Sequence, residues 1–278
     1  MNKNQFQIFS NFRKSFKKQT EEWQYELEQK KAFLLLKTIQ EKSQKAGNTP
    51  EFIVETPIVY NTALDKIGED DQIKLIVIGD NPGKNEQAAQ NRAYLVGQAG
   101  KLGAKFFADT PEMKIDFRKN AIILNKTPVH SPKTKDLAYI MAAAKNEQTP
   151  AGECILRIFK ESQIWLAQQT VMLQHDLYKQ AENDDEKPFL WLIGYSELKK
   201  AGIFEDYKTT FIQTYKKICA DMEKSDRSFS DMLLIFQHFS MNRFTIDLNN
   251  FKDKQPELST KNALIQLGKT HRLEIFGF

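Results

Sequence analysis

Cysteine is nearly missing from this chain of 278 residues: Cys154 and Cys219 are the only two, and they lie far apart. That excludes a disulfide scaffold, a four-cysteine zinc site and a four-cysteine iron–sulfur cluster. Histidine is sparse as well, and His130, His175, His238 and His271 show no metal-ligand spacing. No metal and no other cofactor is therefore expected. No run approaches the roughly 18 apolar residues of a membrane span, and the opening MNKNQFQIFSNFRK lacks the apolar core of a signal peptide. A reduced, cytoplasmic, monomeric protein off the membrane is the expectation. Neither sign of charge dominates: 40 Lys and Arg against 36 Asp and Glu leave +4, too little to name a partner.

What the chain does contain is an ordinary globular mixture, 41% hydrophobic and 27% charged, which is enough apolar material for a core. Residues 1–50 read as an N-terminal helical extension. From Asn4 to about Gly47, Phe9, Phe12, Phe16, Trp23, Leu27, Phe33, Leu36 and Ile39 recur at helical spacing, and Gly47-Asn48-Thr49-Pro50 makes a stop. The simplest use of this stripe is packing on the body, and the alternative is a partner-binding arm.

Residues 51–278 read as one α/β domain. Four short apolar runs, Ile73–Ile78, Ala121–Leu124, Phe189–Ile193 and Met232–Phe236, are separated by long polar stretches. Runs without alternation suit strands buried on both faces, and the connections are long enough for helical crossovers. Helices are expected over Glu153–Leu177, Asp206–Met222 and, briefly, Lys261–Leu267, with a solvated loop at Gln180–Lys187. The predicted architecture is a three-layer αβα fold around a four-stranded parallel sheet.

Every predicted strand runs into Gly, Pro, Asn, His or Ser. The first ends in Gly79-Asp80-Asn81-Pro82-Gly83 and the second in Asn125-Lys126-Thr127-Pro128-Val129-His130. The third ends in Gly194-Tyr195-Ser196, and the fourth in Gln237-His238-Phe239-Ser240-Met241-Asn242-Arg243. Ligands of such sheets bind beyond the carboxyl ends of the strands, so Asn81, Asn125, Ser196 and His238 are expected on one rim. Other motifs fail on their own chemistry. Gly79–Lys84 is too short for a P-loop, with Asn85 where Ser or Thr would hold magnesium, and Gly97–Gly103 does not follow a strand as a dinucleotide fingerprint must. No nucleophile elbow is present, and neither cysteine has an adjacent histidine.

The strand ending GDNPG, followed by Lys84-Asn85-Glu86-Gln87 and then Tyr94-Leu95-Val96-Gly97-Gln98-Ala99-Gly100-Lys101-Leu102, resembles the uracil-DNA glycosylase superfamily. The pattern is closest to its bacterial iron–sulfur members, without their cluster cysteines. The Ile122–Asn125 strand end and His238–Arg243 resemble its Asn strand and its His-Pro-Ser motif, with Phe239 in place of Pro. Asn81 stands where some members carry a water-activating Asp. Mismatch-specific and single-strand-selective members carry Asn there.

The resemblance implies hydrolysis of the N-glycosidic bond of uracil or a related deaminated base in DNA, by water attack on a flipped nucleotide. His238 and Asn81 would be catalytic, His238 donating to the base oxygen and Asn81 orienting the water. Asn125 would read the base through its amide, beside Gly79 and Asp80, with Tyr94 or Leu95 stacking on it. Ser240, Met241, Arg243, Lys126 and Ser131, together with Lys133 and Lys135, would hold or wedge the DNA, as would Phe239. His130 is a second catalytic candidate. The alternatives are a catalytically weak or inactive damage-sensing DNA-binding protein, which Leu95 and Phe239 motivate, and a small-molecule nucleoside hydrolase.

Overall fold

A computed structural model describes residues 1–199, 201–222 and 224–278. In chain order its main elements are helices α1 (Lys3–Gln29) and α2 (Ala32–Ala46), strand β1 (Leu75–Gly79), helices α3 (Lys84–Gln87) and α4 (Gln98–Ala108), and strand β2 (Ala121–Asn125). Helices α5 (Asp136–Asn146) and α6 (Pro150–Lys179) lead to strand β3 (Phe189–Ile193). Helices α7 (Tyr195–Lys199) and α8 (Glu205–Asp221) lead to strand β4 (Leu233–Phe236), and α9 (Arg243–Lys252) and α10 (Thr260–Phe276) close the chain.

The four strands are parallel, in the order β2-β1-β3-β4. All five residues of β1 and of β2 are buried, which is why their sequences do not alternate: helices cover both faces of the sheet. Strand β1 begins two residues later than its apolar run and extends onto Gly79, while β2 extends onto Asn125; the two residues pair in register. The functional edge therefore starts on the last rung of the ladder.

Helix α6 is 30 residues long and is set at its start by Thr149, whose hydroxyl accepts the Gly152 N–H at 3.2 Å, and by Pro150 in the first turn. Helix α10 runs well past the expected Leu267. Gly268 breaks the apolar pattern in sequence, yet a Cβ there would come within 2.7 Å of Leu234 and 2.9 Å of Phe236. The helix lies so close to β4 that glycine is what fits.

The N-terminal stripe is spent on the body. Trp165 of α6 stacks with Phe16 at 5.7 Å and Phe12 at 6.4 Å and meets Trp23 edge-on at 6.1 Å. The buried residues of α1 and α2 belong to the same core as the sheet. The Gln180–Lys187 segment anchors the start of α1. Asn2, which caps that helix, donates to the Gln180 carbonyl at 2.7 Å, and Gln5 donates to the Glu186 carbonyl at 3.1 Å. Among the described residues no helix is long and apolar enough to cross a membrane.

Candidate active site at the carboxyl edge of the sheet

Just past the ends of β1 and β2 the chain buries an ion pair. Lys126 Nζ lies 2.5 Å from Asp80 Oδ1 and also donates to the carbonyls of Ile193 at 2.7 Å and Gly79 at 3.3 Å. Thr134 donates to Asp80 Oδ2 at 3.2 Å. Lys126 is fully buried, its ammonium 5.2 Å from the Phe204 ring centroid. Burial alone would raise the Asp80 carboxyl, but the cation of Lys126, with His238 and the hydrogen bonds, brings it below its ordinary value. This overturns Lys126 as a DNA-gripping residue: a lysine whose three donors are used inside the protein cannot reach a phosphate.

Gly194, which ends β3, makes room for the pair. Its φ is +101°, and a Cβ there would lie 2.5 Å from Asp80 Oδ1 and 3.2 Å from Lys126 Nζ. Gly79 plays the equivalent part for Asn125, because a Cβ on Gly79 would come within 2.4 Å of Asn125 Oδ1. Asn125 is 1% exposed, and its Nδ2 has no hydrogen-bond partner among the described residues.

From β4 comes His238. The Ser240 N–H donates to its Nδ1 at 3.1 Å, so that nitrogen carries no proton and the Ser240 hydroxyl, 2.8 Å away, donates to it as well. The ring proton therefore sits on Nε2. Burial, followed by the cations Lys126 and Arg243, lowers the pKa of His238 below the ordinary imidazole value, with the Asp80 carboxylate pulling the other way. The group is a neutral donor at neutral pH. Ser240 correspondingly changes role: with its hydroxyl proton committed to His238 it has none to offer a phosphate oxygen.

Ser131 is fully buried, so it is not a DNA contact either. It accepts from Asn81 Nδ2 at 2.8 Å and donates to the Lys133 carbonyl at 2.8 Å. His130, also fully buried, is 2.9 Å from the Pro82 carbonyl through Nδ1, and burial pushes its pKa down to about 4. Neutral, it holds the turn from below. Phe239, 2% exposed, packs against Gly103, Phe117 and Phe244 and is no wedge. Met241, 69% exposed, and Arg243 at the start of α9 do stand on the surface.

The Tyr94–Leu102 segment is built from close approach. Tyr94 is buried, its hydroxyl donating to the Val59 carbonyl at 2.6 Å, and so is Leu95. Leu95 has φ +51°; its carbonyl accepts from Arg118 at 2.6 Å and lies 1.4 Å from where a Cβ of Gly100 would be. Glu86, pushed up to about 7 by burial, accepts the Gly83 N–H at 3.2 Å and a second backbone bond from Leu95, tying the GDNPG turn to this segment. Ser196 donates to Gln237 at 3.0 Å, joining the ends of β3 and β4 beside a cavity of about 480 Å³ that Tyr195, Lys199 and Arg243 help to line.

The structure thus brings Asp80, Lys126, Gly194 and His238 together, with Asn81 beside Asp80 after β1 and Asn125 beside Lys126 at the end of β2. Sequence reasoning missed Gly194, Thr134 and the holding roles of His130 and Glu86. Gly194 alone carried a signal, as a glycine closing an apolar run. No group of three or more His, Cys, Asp or Glu side chains among the described residues could hold a metal ion. No protein-family model matches the chain, and neither does any curated protein or solved structure.

Proposed function

We propose that this chain is a monofunctional DNA glycosylase that hydrolyses the N-glycosidic bond of uracil or a related deaminated base. The observation that carries the reading is one edge bearing three side chains from three strand ends whose outward hydrogen-bonding groups have no partner among the described residues. They are the Asn81 Oδ1 after β1, the Asn125 amide at the end of β2 and the Nε2–H of His238 after β4. Expelling a base leaves an anion on its oxygen and cationic character on the sugar. A neutral imidazole N–H aimed at that oxygen stabilises the anion without having to lose a proton first. The Asn125 amide presents a donor and an acceptor, the pairing that suits the O4 and N3–H of uracil. Asn81 has its Nδ2 held and its Oδ1 free to accept from a water.

Neighbouring strands lie about 4.8 Å apart, so β4 is about 10 Å from β1, close to the span of a flipped nucleotide's base and sugar. Gly194, just past the end of β3 between them, adds no side chain to that gap. Uracil excision from single- and double-stranded oligonucleotides tests the reading. Wild type is expected to leave abasic product, His238→Ala to be slower by about 10²–10³, and Asn81→Ala and Asn125→Ala to be impaired with DNA still bound. A wild type that excises no deaminated base defeats it.

A second reading, binding to damaged DNA without cleavage, draws on Leu95 standing where the resemblance places a stacking ring and on Tyr94 being anchored to Val59. Affinity for an unpaired base with no abasic product would favour it.

A further inference from the structure

Asparagine amides can sit in either of two orientations, and which one Asn81 adopts decides whether it offers a donor or an acceptor at the site. Two neighbours settle this. Asn81 Nδ2 lies 3.2 Å from the Pro82 carbonyl, which can only accept. It also lies 2.8 Å from Ser131 Oγ, whose own proton goes to the Lys133 carbonyl at 2.8 Å, again a group that can only accept. The hydroxyl must therefore receive from Asn81. The chain of bonds runs one way: Asn81 Nδ2–H to Ser131 Oγ–H to Lys133 C=O. Turning the amide over would set Oδ1 against the Pro82 oxygen and leave one of the serine's two bonds unmade.

The anchor is itself held. The Pro82 carbonyl also accepts the Ser131 N–H at 3.2 Å and faces Nδ1 of the neutral His130 at 2.9 Å. Thus the segment after β2 grips the turn after β1 through backbone and side chain together. Ser131 is fully buried, so solvent does not compete for its hydroxyl.

We infer that Ser131 is a positioning residue that locks the Asn81 amide with its oxygen toward the reacting centre, where that oxygen orients the attacking water. The inference rests on the glycosylase reading for its consequence, though the locked amide exists without it. Ser131 touches neither base nor water; it acts through Asn81.

The test compares the full-length wild type, Ser131→Ala, Asn81→Ala and the double variant in single-turnover uracil excision, with DNA affinity and thermal unfolding measured alongside. Ser131→Ala is expected to slow the chemical step about 10- to 100-fold, the scale of a misoriented catalytic group, with DNA affinity unchanged. The double variant is expected to be no slower than Asn81→Ala alone, because there is then no amide left to orient. Losses that multiply across the two sites, or a Ser131→Ala protein as fast as wild type, overturn the inference. Should Ser131→Ala fold poorly, Ser131→Cys, close in size and weaker in hydrogen bonding, carries the same comparison.

Nitrogen–proton NMR reads the amide directly. The Asn81 side-chain resonances, identified by their loss in Asn81→Ala, are expected to move in Ser131→Ala. If wild type releases no base, the glycosylase reading fails while this signal still decides the lock: resonances that Ser131→Ala leaves in place refute it.

Discussion

Lys126 and Asp80 form a fully buried pair at the centre of the edge, and their energetics are those of a charge that burial penalises and a partner rescues. Removing one partner strands the other, at about 3–5 kcal/mol. Lys126→Met should therefore unfold at markedly lower denaturant concentration than wild type at neutral pH. In wild type the Asp80 carboxyl is held below its ordinary value, so its stabilising contribution is present above about pH 4 and is lost as acid carries the pH through the folded value. In Lys126→Met burial acts unopposed by that cation and the carboxyl rises. The deficit of the variant should then be largest near neutrality, begin to shrink as acid protonates the raised carboxyl of the variant, and close only below about pH 4, once the lowered carboxyl of wild type is protonated as well. A deficit independent of pH would mean that the lysine contributes packing rather than charge.

These residues show what the sequence could and could not reveal. Asp80, Asn81, Asn125 and His238 were legible because each follows an apolar run that had to be a strand. The direction of a side chain was not. Lys126 and Ser131 sit in a polar stretch that resembles any solvated loop. Their partners, Asp80 and Asn81, lie 46 and 50 residues earlier. A lysine reads as exposed until a buried carboxylate is found for it, and only the folded chain supplies that carboxylate.

At the level of elements, the strands were legible and the helices less so. Strands buried on both faces announce themselves as continuous apolar runs, whereas α4, α5 and α9 are short and mix small, polar and aromatic residues. The apolar pattern of α10 stops short in sequence at Gly268, whose reason is close contact with β4. The element that matters most for the site is the sharp exit of β3 at Gly194. Alanine there meets both an unfavourable φ and the Asp80 carboxylate. Gly194→Ala is expected to cost about 1–3 kcal/mol from backbone strain alone, read by chemical denaturation, and to lower excision along with stability because Asp80 must move. A Gly194→Ala protein with wild-type stability would contradict the tight packing of Asp80 and Lys126 against this turn.

At the scale of the whole molecule, the buried apolar residues of the N-terminal helices and of the sheet belong to one core. Helices α1 and α2, set apart in sequence by their Lys-, Gln- and Glu-rich composition, close over α6 and α5, and Trp165 sits among the aromatics of α1. The apolar stripe was legible; what it faced was not, because that surface is assembled from separate parts of the chain, Tyr60 against Phe16 and Trp165 against Phe12, Phe16 and Trp23. The balance of +4 also takes on a distribution. Lys126 is neutralised inside, and Lys133 reaches back to the Gly47 carbonyl at 2.7 Å. At the mouth of the edge Arg243 remains exposed, with Lys199 shared between Tyr195 and Glu274.

In the proposed reaction a neutral His238 donates to the departing base. The most direct measurement is the single-turnover release of free uracil from an oligonucleotide by the full chain, from about pH 5 to about pH 9, either side of the ordinary imidazole value. An abasic product is expected, formed at a rate that is flat above about pH 6.5 and declines only in acid, as the imidazole takes up a proton. Release of no base at any pH, or a rate that falls as pH is raised through neutrality, would contradict it.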